Sequence, residues 1–263
     1  MSREVVLVTG AGRGFGEAIA RRFASEGAAV AVLSRNRAQL DRVVAAIEAD
    51  GGYGFAVTAD VTSPADVDRA VSEVEAALGP ITTFINNAGV PGPFGPLWEV
   101  DVEAWWQSQQ VHIRAPMLFL HRILPGMIAR NHGRAIIVSA IASRMVAPYL
   151  NAYCTGKIAQ NRIVAEAAAE LKDTAVKVFA IDPGFVFTAL ANETMTSPDA
   201  RKWLPGMVGR LEQASGKGDD GDLARCAQRC IDLASGRYDA LSGSYTELPD
   251  DLDAMVREKE AAA

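Results

Sequence analysis

The sequence predicts an α/β fold: a doubly wound parallel β-sheet with helices on both of its faces. Short apolar runs alternate with segments of helical periodicity along the chain, separated by short turns. Repeated βα units favour parallel strands joined by right-handed crossovers. The 263 residues suit one large domain with a sizeable core, and no linker, internal repeat or low-complexity segment divides them. We therefore expect a single domain over residues 1–263.

Six apolar runs have the length and composition of buried strands. They cover Glu4–Thr9, Ala28–Ser34, Tyr53–Thr58, Ile81–Asn86, Arg134–Ser139 and Ala175–Ile181. Helical periodicity fills the intervals at about 15–26, 37–50, 64–78, 101–129, 149–172 and 219–235. Ser63 and Pro64 suit the N-cap and the first position of the third helix, and Asp101 suits the N-cap of the fourth.

Two segments depart from this alternation. Residues 188–218 are rich in glycine, proline and serine with a few bulky apolar residues, so we expect a long irregular lid or binding loop there. The polar tail DDLDAMVREKEAAA predicts a frayed helix. Ligands of doubly wound sheets bind beyond the carboxyl ends of the strands, near the point where the strand order reverses. The sequence therefore places the expected site at that edge of the sheet.

Composition excludes several classes of partner. A net charge of −6 argues against binding to nucleic acid or to an anionic membrane, and no apolar run is long enough for a transmembrane helix. The opening MSREVVLVTG enters a strand almost at once, which leaves no room for a signal peptide. Three cysteines cannot form a disulfide framework, as is typical of a reducing compartment. We expect a cytoplasmic protein.

No metal site is expected. Cys226 and Cys230 are one helical turn apart, but no second pair of ligands stands at metal-site spacing, so we interpret them as buried helix cysteines. The histidines form no clustered motif either (His112, His121, His132).

A glycine-rich loop follows the first strand, in the segment TGAGRGFGEAIA. Gly10, Gly12, Gly14 and Gly16 let the backbone approach a pyrophosphate closely, and the free N–H groups of the next helix face it. The spacing is G-x-x-x-G-x-G and differs from the G-x-G-x-x-G fingerprint. Between a strand and an amphipathic helix, it predicts a Rossmann-type dinucleotide site that includes Arg13 and Phe15.

The residues at the end of the second strand indicate whether the cofactor is NAD or NADP(H). NAD sites usually carry an acidic residue there, which binds the ribose 2′-hydroxyl. This chain has LSRNR instead, with Ser34 and Arg35 and no carboxylate, and Arg13 lies in the phosphate loop. Two guanidinium groups and a small hydroxyl suit a 2′-phosphate, which arginine holds bidentately. The sequence therefore predicts NADP(H).

Five motifs in order make the chain resemble a short-chain dehydrogenase/reductase over about residues 4–247. They are TGAGRGFG (9–16), Asp60-Val61, NNAG (86–89), YCTGK (153–157) and DPGFVFT (182–188). By this resemblance Asp60 and Val61 would contact the adenine, and the NNAG segment, with Asn87, Ala88 and Gly89, would line the central part of the cofactor. A last group would lie beside the nicotinamide: Pro183, Gly184, Val186 and Thr188.

The resemblance also implies the chemistry. Hydride would pass between nicotinamide and a carbonyl carbon, with Tyr153 as the general acid at the carbonyl oxygen. An ordinary tyrosine, with a pKa near ~10, is too weak an acid for this at neutral pH. Lys157, one turn on, would favour the phenolate and hold the ribose hydroxyls of the nicotinamide. Lys157 is the first lysine in a chain that otherwise prefers arginine, which fits a site needing a compact ammonium.

Two other members of the expected catalytic quartet are absent. The assisting serine of this family lies thirteen residues before the tyrosine, where this chain has Ala140, and the family's asparagine falls on His112. Loss of a hydrogen-bond donor at a developing oxyanion typically costs about 2.7–4 kcal/mol. Three substitutes are open: Ser139 if the strand ends in a bulge, Ser143, or His112, which could relay a proton, donate a hydrogen bond, or simply pack beneath the site.

The expected function is NADP(H)-dependent oxidoreduction of a carbonyl or alcohol in a bulky apolar or aromatic small molecule. The loops beyond the strands supply a suitable lining, with Ile141, Met145 and Tyr149 at its centre. Because the quartet is altered, non-redox chemistry such as cyclisation, dehydration or isomerisation stays open, and so does cofactor binding alone. The resemblance further implies a homodimer or homotetramer, formed through the helices at about 101–129 and 149–172.

Overall fold

The computed structural model describes residues 3–215 and 221–261 of the chain. Its seven strands form one sheet in the order β3-β2-β1-β4-β5-β6-β7, and every neighbouring pair is parallel. The strands are β1 (Val5–Thr9), β2 (Ala29–Ser34), β3 (Tyr53–Thr58), β4 (Thr83–Asn86), β5 (Gly133–Val138), β6 (Val176–Ile181) and β7 (Tyr245–Thr246). The prediction of a doubly wound α/β fold is confirmed, and the two-residue β7 is an addition to it.

Helices cover both faces of this sheet. They are α1 (Gly14–Ser25), α2 (Arg37–Ala49), α3 (Pro64–Leu78), α4 (Val102–Gln109), α5 (Ala115–Arg130), α6 (Asn151–Glu170), α7 (Ala189–Thr196), α8 (Pro198–Trp203), α9 (Pro205–Ala214), α10 (Asp222–Ala234) and α11 (Leu252–Ala261). Both predicted caps form: the Ser63 hydroxyl accepts from the N–H of Asp66, and the Asp101 carboxylate accepts from that of Ala104. These caps fix where α3 and α4 begin.

Three predicted segments differ from the structure. The helix expected at 101–129 is interrupted by one π-helical turn, Gln110–Arg114, which separates α4 from α5. Residues 188–218 are not irregular, because α7, α8 and α9 occupy 189–214, while 216–218 and the predicted helix start at 219 lie outside the described residues. The tail forms α11 and packs Leu252 into the core.

The sheet separates two apolar cores because successive side chains of a strand point to opposite faces. In β1, Val6 and Val8 enter the core beneath α1 and α10, whereas Val5 and Leu7 enter the core beneath α3 and α5. The strand order reverses between β1 and β4, so the loops after these strands diverge and leave a crevice at their carboxyl ends. The candidate site lies there. Within the described residues no helix is both long and apolar enough to cross a membrane.

Candidate active site

A cleft of about 2200 Å³ runs along the carboxyl edge of the sheet. It collects nearly all of the residues selected from the sequence. Those that line it are Gly10, Gly12, Arg13, Gly14, Phe15, Ser34, Arg35, Asp60, Val61, Asn87, Ala88, Gly89, Ser139, Ile141, Met145, Tyr149, Tyr153, Lys157, Pro183, Gly184, Val186 and Thr188. Gly16 and His112 lie just behind its wall. One cleft therefore joins the expected dinucleotide site to the Tyr153–Lys157 pair.

The phosphate loop has a conformation that its glycines permit. Gly10 and Gly14 have φ angles of 64° and 59°, in the left-handed region that side chains disfavour. A Cβ on Gly16 would lie 2.6 Å from the side-chain nitrogen of Asn87 and against the carbonyl of Gly10. The loop thus packs tightly enough to present backbone N–H groups to an anion at the start of α1.

The NNAG segment is tied to this loop by side chains. Asn87 donates from its amide to the carbonyls of Thr9 and Gly10, at 3.1 and 3.2 Å. The Thr9 hydroxyl accepts from the main-chain N–H groups of Asn87 and Ala88, at 3.0 and 3.1 Å. These contacts hold the ends of β1 and β4 together across the switch point. Thr9 was not among the predicted site residues, although it opens the TGAGRGFG motif.

At the end of β2, Ser34 and the exposed Arg35 lie beside the adenine end of the cleft. The hydrogen bonds from the backbone N–H and hydroxyl of Thr62 hold the pKa of Asp60 below its usual value, and Arg35 adds to this effect. Arg13 pairs with Glu193 of α7 at 3.0 Å, so this guanidinium links the phosphate loop to the helices above it. Ser34 and Arg35 therefore line this end of the cleft, while Arg13 is engaged by Glu193.

Tyr153 and Lys157 lie one turn apart on α6 at the floor of the cleft. The Lys157 ammonium is 5.5 Å from the centre of the Tyr153 ring and donates to the Val138 carbonyl at 2.8 Å and the Gln160 side-chain oxygen at 3.2 Å. Burial lowers the pKa of Lys157 to about 7, against an opposing effect of the Asp182 carboxylate. A lysine with that pKa changes charge in the neutral range.

Burial also raises the pKa of Tyr153, and the negative charge of Asp182 adds to the rise. This differs from the expectation that Lys157 favours the phenolate. The physical reason is enclosure: the ring is desolvated, and the ammonium is directed at two oxygens of the protein rather than at the phenol. Tyr153 is therefore held as a neutral phenol, the protonated form that a general acid requires.

Asp182 connects the loops that follow β5 and β6 through hydrogen bonds to its carboxylate. Its carboxylate accepts from the N–H of Ile141 at 2.9 Å and of Gly184 at 3.3 Å. Burial raises its pKa, while these two hydrogen bonds oppose the rise. The carboxylate thereby fixes the loop after β5, which carries Ala140, relative to the loop after β6.

The three candidate substitutes for the missing hydroxyl occupy different places. Ser139 continues the ladder to Ile181, without a bulge, and its hydroxyl donates to the Lys157 carbonyl at 3.2 Å. Ser143 lies outside the cleft, where its hydroxyl accepts from Asn161 at 2.7 Å. Ala140 is extended, with φ −170°, and presents a methyl group at the expected serine position. A serine hydroxyl directed at the substrate is thus missing from residue 140.

His112 lies in the π-helical turn and is fully buried. One ring nitrogen, Nε2, is 2.8 Å from the Val90 carbonyl, so it carries the proton and donates. Burial and the charge of Lys157 lower the pKa of His112 to about 3, which makes the ring neutral. Its ring meets Tyr153 edge to face, with centroids 5.4 Å apart. His112 therefore contacts the tyrosine from behind and not the open cleft.

The outer end of the cleft is apolar. Ile141, Met145 and Tyr149 line it, opposite Trp203 and Met207 of the α7–α9 segment. Tyr149 has a φ angle of 70°, and its ring packs on Trp203 with centroids 5.2 Å apart. Strained backbone of this kind costs about 1–3 kcal/mol and persists only where surrounding contacts hold it. The Tyr149–Trp203 contact joins the loop after β5 to the helices above the cleft.

One buried residue of the site has no counterpart in the sequence motifs. Gln160 accepts from the Lys157 ammonium and donates to the carbonyl of His112 at 2.9 Å. A glutamine three residues after Lys157, on the same helix face, was the available signal. Its partners depend on how α6 packs against the π-helical turn, which the sequence does not display.

Comparison with known proteins identifies the family of this chain. The profile of the family described as short chain dehydrogenase matches residues 4–199. A short chain dehydrogenase of Pseudocercospora fijiensis is 32% identical over 98% of this chain and 84% of the relative. A 2-(S)-hydroxypropyl-CoM dehydrogenase of Xanthobacter autotrophicus is 31% identical over 80% of this chain and 85% of the relative.

Among solved structures, that of an NAD+-bound xylitol dehydrogenase superposes with a TM-score of 0.81 and 26% identity, covering 94% of this chain and 97% of the other. The chain therefore belongs to the short-chain dehydrogenase family, and is an oxidoreductase of the kind that uses a nicotinamide cofactor.

Proposed function

We propose that this protein transfers a hydride between NADP(H) and a carbonyl or alcohol of a bulky apolar or aromatic small molecule. The observation that carries the proposal is the cleft itself: it runs from the glycine loop to the Tyr153–Lys157 pair and continues into an apolar outer end. A site of that form binds a dinucleotide along its length and leaves an apolar pocket for the second reactant.

In this proposal, different residues of the cleft bind the cofactor and transfer the proton. The glycine loop and α1 bind the pyrophosphate, and Asp60 and Val61 bind the adenine. The NNAG segment binds the central part of the cofactor, and the loop after β6 binds the nicotinamide. Tyr153 donates the proton to the carbonyl oxygen during reduction. Lys157 holds the ribose hydroxyls, and its positive charge, 5.5 Å from the centre of the Tyr153 ring, acts on the forming phenolate through space without a hydrogen bond to it. When bound, the cofactor supplies the hydride.

The choice of NADP(H) rests on the end of β2. Ser34 and Arg35 line the cleft there, and Asp60 is the nearby carboxylate, engaged with Thr62. An arginine holds a phosphate through charge-assisted hydrogen bonds, which are stronger than neutral ones. The related xylitol dehydrogenase is bound to NAD+, so family membership alone does not select the cofactor.

Two residues are proposed to offset the alanine at 140. His112 supports the Tyr153 ring from behind through the edge-to-face contact. Ser139 holds the main chain at Lys157, because its hydroxyl donates to the Lys157 carbonyl. Neither contact supplies a hydrogen-bond donor at the position of the missing serine hydroxyl, so we expect turnover slower than a serine at 140 would give.

A second candidate function is favoured by the same alanine. Without a hydroxyl at 140, the protein could retain Tyr153 and Lys157 for a cyclisation, dehydration or isomerisation, or could only bind the cofactor. An Ala140→Ser variant separates these possibilities. Measured beside the wild type, NADPH oxidation with a panel of bulky ketones, aldehydes and quinones tests both. Turnover by both proteins supports the reductase; a silent wild type with an active Ala140→Ser variant supports the second candidate.

We further propose a homodimer or homotetramer that assembles through α4, α5 and α6 in the cytoplasm. Large apolar side chains are exposed on these helices, most of all Val102 and Trp106 of α4, which are 63% and 55% exposed, and Ile158 of α6, which is 57% exposed. Apolar patches of this kind typically mark protein interfaces. Sedimentation equilibrium tests the assembly, and a Trp106→Glu variant should favour the monomer.

A further inference from the structure

Gln160 is a fully buried glutamine in a helix face whose other buried residues are Ala152, Gly156, Lys157 and Val164. Burying an amide is unfavourable unless its polar atoms find partners. Both ends of this amide have one: the oxygen accepts from the Lys157 ammonium at 3.2 Å, and the nitrogen donates to the His112 carbonyl at 2.9 Å. The side chain therefore connects the lysine to the π-helical turn.

The sequence shows one main-chain donor that the His112 carbonyl lacks. In a regular α-helix it would accept from the N–H of residue 116, which is a proline and has none. The chain passes through this point as a π-helical turn, and Gln160 supplies a donor to the carbonyl. The same side chain thus satisfies the turn and contacts the lysine.

The amide also limits where the ammonium can point. An ammonium has three donors. Two of those of Lys157 are engaged, with the Val138 carbonyl and the Gln160 oxygen. The third is left for the cleft that Lys157 lines, beside Gly89 and the Tyr153 ring.

We propose that Gln160 is a positioning residue, which holds the Lys157 ammonium in its charged form and aims its remaining donor into the cleft. The role rests on the proposed function, in which Lys157 serves Tyr153 and the cofactor. Gln160 touches neither substrate nor cofactor and acts only through the lysine.

The groups around Lys157 leave its charge state sensitive to the contact with Gln160. Burial lowers the pKa of Lys157 to about 7, and Asp182 is the carboxylate that opposes this. His112 and Tyr153 face the lysine as neutral rings. In such surroundings an amide oxygen on the ammonium favours the charged form, and replacing that oxygen by an apolar group should disfavour it.

Two substitutions and one control test the role in the cofactor-free protein. Gln160→Met keeps the length of the side chain and removes the acceptor, whereas Gln160→Glu replaces it by a carboxylate. Gln109→Met is the matched control, because Gln109 is buried against the same helix and donates to Ala152 but makes no bond to Lys157. Carbon-13 NMR of labelled lysine follows the titration of Lys157, whose signal is assigned by its loss in Lys157→Met.

The midpoint of Lys157 should fall by about one pH unit or more in Gln160→Met, rise by a similar amount in Gln160→Glu, and stay at the wild-type value in Gln109→Met. A one-unit fall lowers the charged fraction about tenfold above the midpoint, so kcat of Gln160→Met at pH 8 should fall about tenfold. The alkaline limb of its pH profile should move to lower pH.

An unchanged Lys157 midpoint in Gln160→Met would overturn the inference. If the buried carboxylate prevents Gln160→Glu from folding, the result for Gln160→Met is sufficient by itself. The proposed function and the positioning role of Gln160 can be refuted separately. If the Lys157 midpoint shifts in the Gln160 variants but the wild type shows no turnover, the proposed function is refuted and the positioning role stands. If the wild type turns over substrate but the Lys157 midpoint is unchanged in the Gln160 variants, only the positioning role is refuted.

Discussion

A Cβ on Gly156 would lie 2.6 Å from the Cβ of His112 and 2.8 Å from its Cγ. The two residues therefore fit together: helix α6 approaches the π-helical turn this closely because position 156 has no side chain. The contact lies between Tyr153 and Lys157 in sequence, on the side of α6 that faces away from the cleft. It sets the place of His112 behind the Tyr153 ring.

Gly156→Ala should destabilise the protein by about 1–3 kcal/mol, because the added methyl group overpacks this contact and neither backbone can move freely. The free energy of unfolding in urea measures the effect. Gly209→Ala is the control, since a Cβ at 209, within α9, meets nothing within 4 Å. There we expect no loss, or a gain of about 0.5–1 kcal/mol from helix propensity. Equal effects at the two positions would contradict the account.

Acid should destabilise the wild type more than His112→Asn. The pKa of His112 is lowered to about 3 by burial and by the charge of Lys157, whereas an unfolded histidine titrates near ~6.5. Between these values the unfolded chain binds the proton and the folded protein does not, so stability falls as the pH falls. The limiting slope for one proton is about 1.4 kcal/mol per pH unit.

Unfolding free energies at pH 7, 6, 5 and 4 measure that slope. The difference between pH 7 and pH 4 should be smaller in His112→Asn than in the wild type. His121→Asn, at an exposed position of α5, is the matched control. Parallel curves for wild type and His112→Asn would show that His112 takes up its proton in the folded protein as readily as in the unfolded chain.

Arg35→Ala should weaken NADPH binding about 10–100-fold, as expected for the loss of hydrogen bonds worth about 1.5–3 kcal/mol to a charged group. Binding of NADH should change little because it lacks the 2′-phosphate. Fluorescence titration measures both. Arg21→Ala controls for lost charge, since Arg21 pairs with Asp50 away from the cleft. Equal weakening of NADPH and NADH would contradict a 2′-phosphate site at Arg35.

Much of the sheet was predictable because its strands are buried on both faces and appear as apolar runs. All five residues of β1 are buried, for example. The two residues of β7 are too few to form a pattern. The helices at 189–214 carried weak signals in Pro198 and Pro205, each at a first helical position, but their short length hid the periodicity.

The site was predictable where a motif keeps functional residues close in sequence, as for Tyr153 and Lys157. Contacts that depend on packing were not. The direction of the Ser143 hydroxyl, towards Asn161, follows from the loop after β5. The place of His112 follows from the π-helical turn, which shifts the helix phase by one residue. Gln160 acquires its partners only once α6 meets that turn.

The measurement closest to the central claim is NADPH oxidation with bulky carbonyl substrates by wild type and Tyr153→Phe. The variant keeps the ring against His112 and removes only the hydroxyl. Tyr53→Phe, on the exposed side of β3, makes the same chemical change outside the cleft. We predict wild-type turnover that is retained in Tyr53→Phe and falls at least about 100-fold in Tyr153→Phe, as loss of a general acid typically gives. Equal turnover in Tyr153→Phe and wild type would contradict the account.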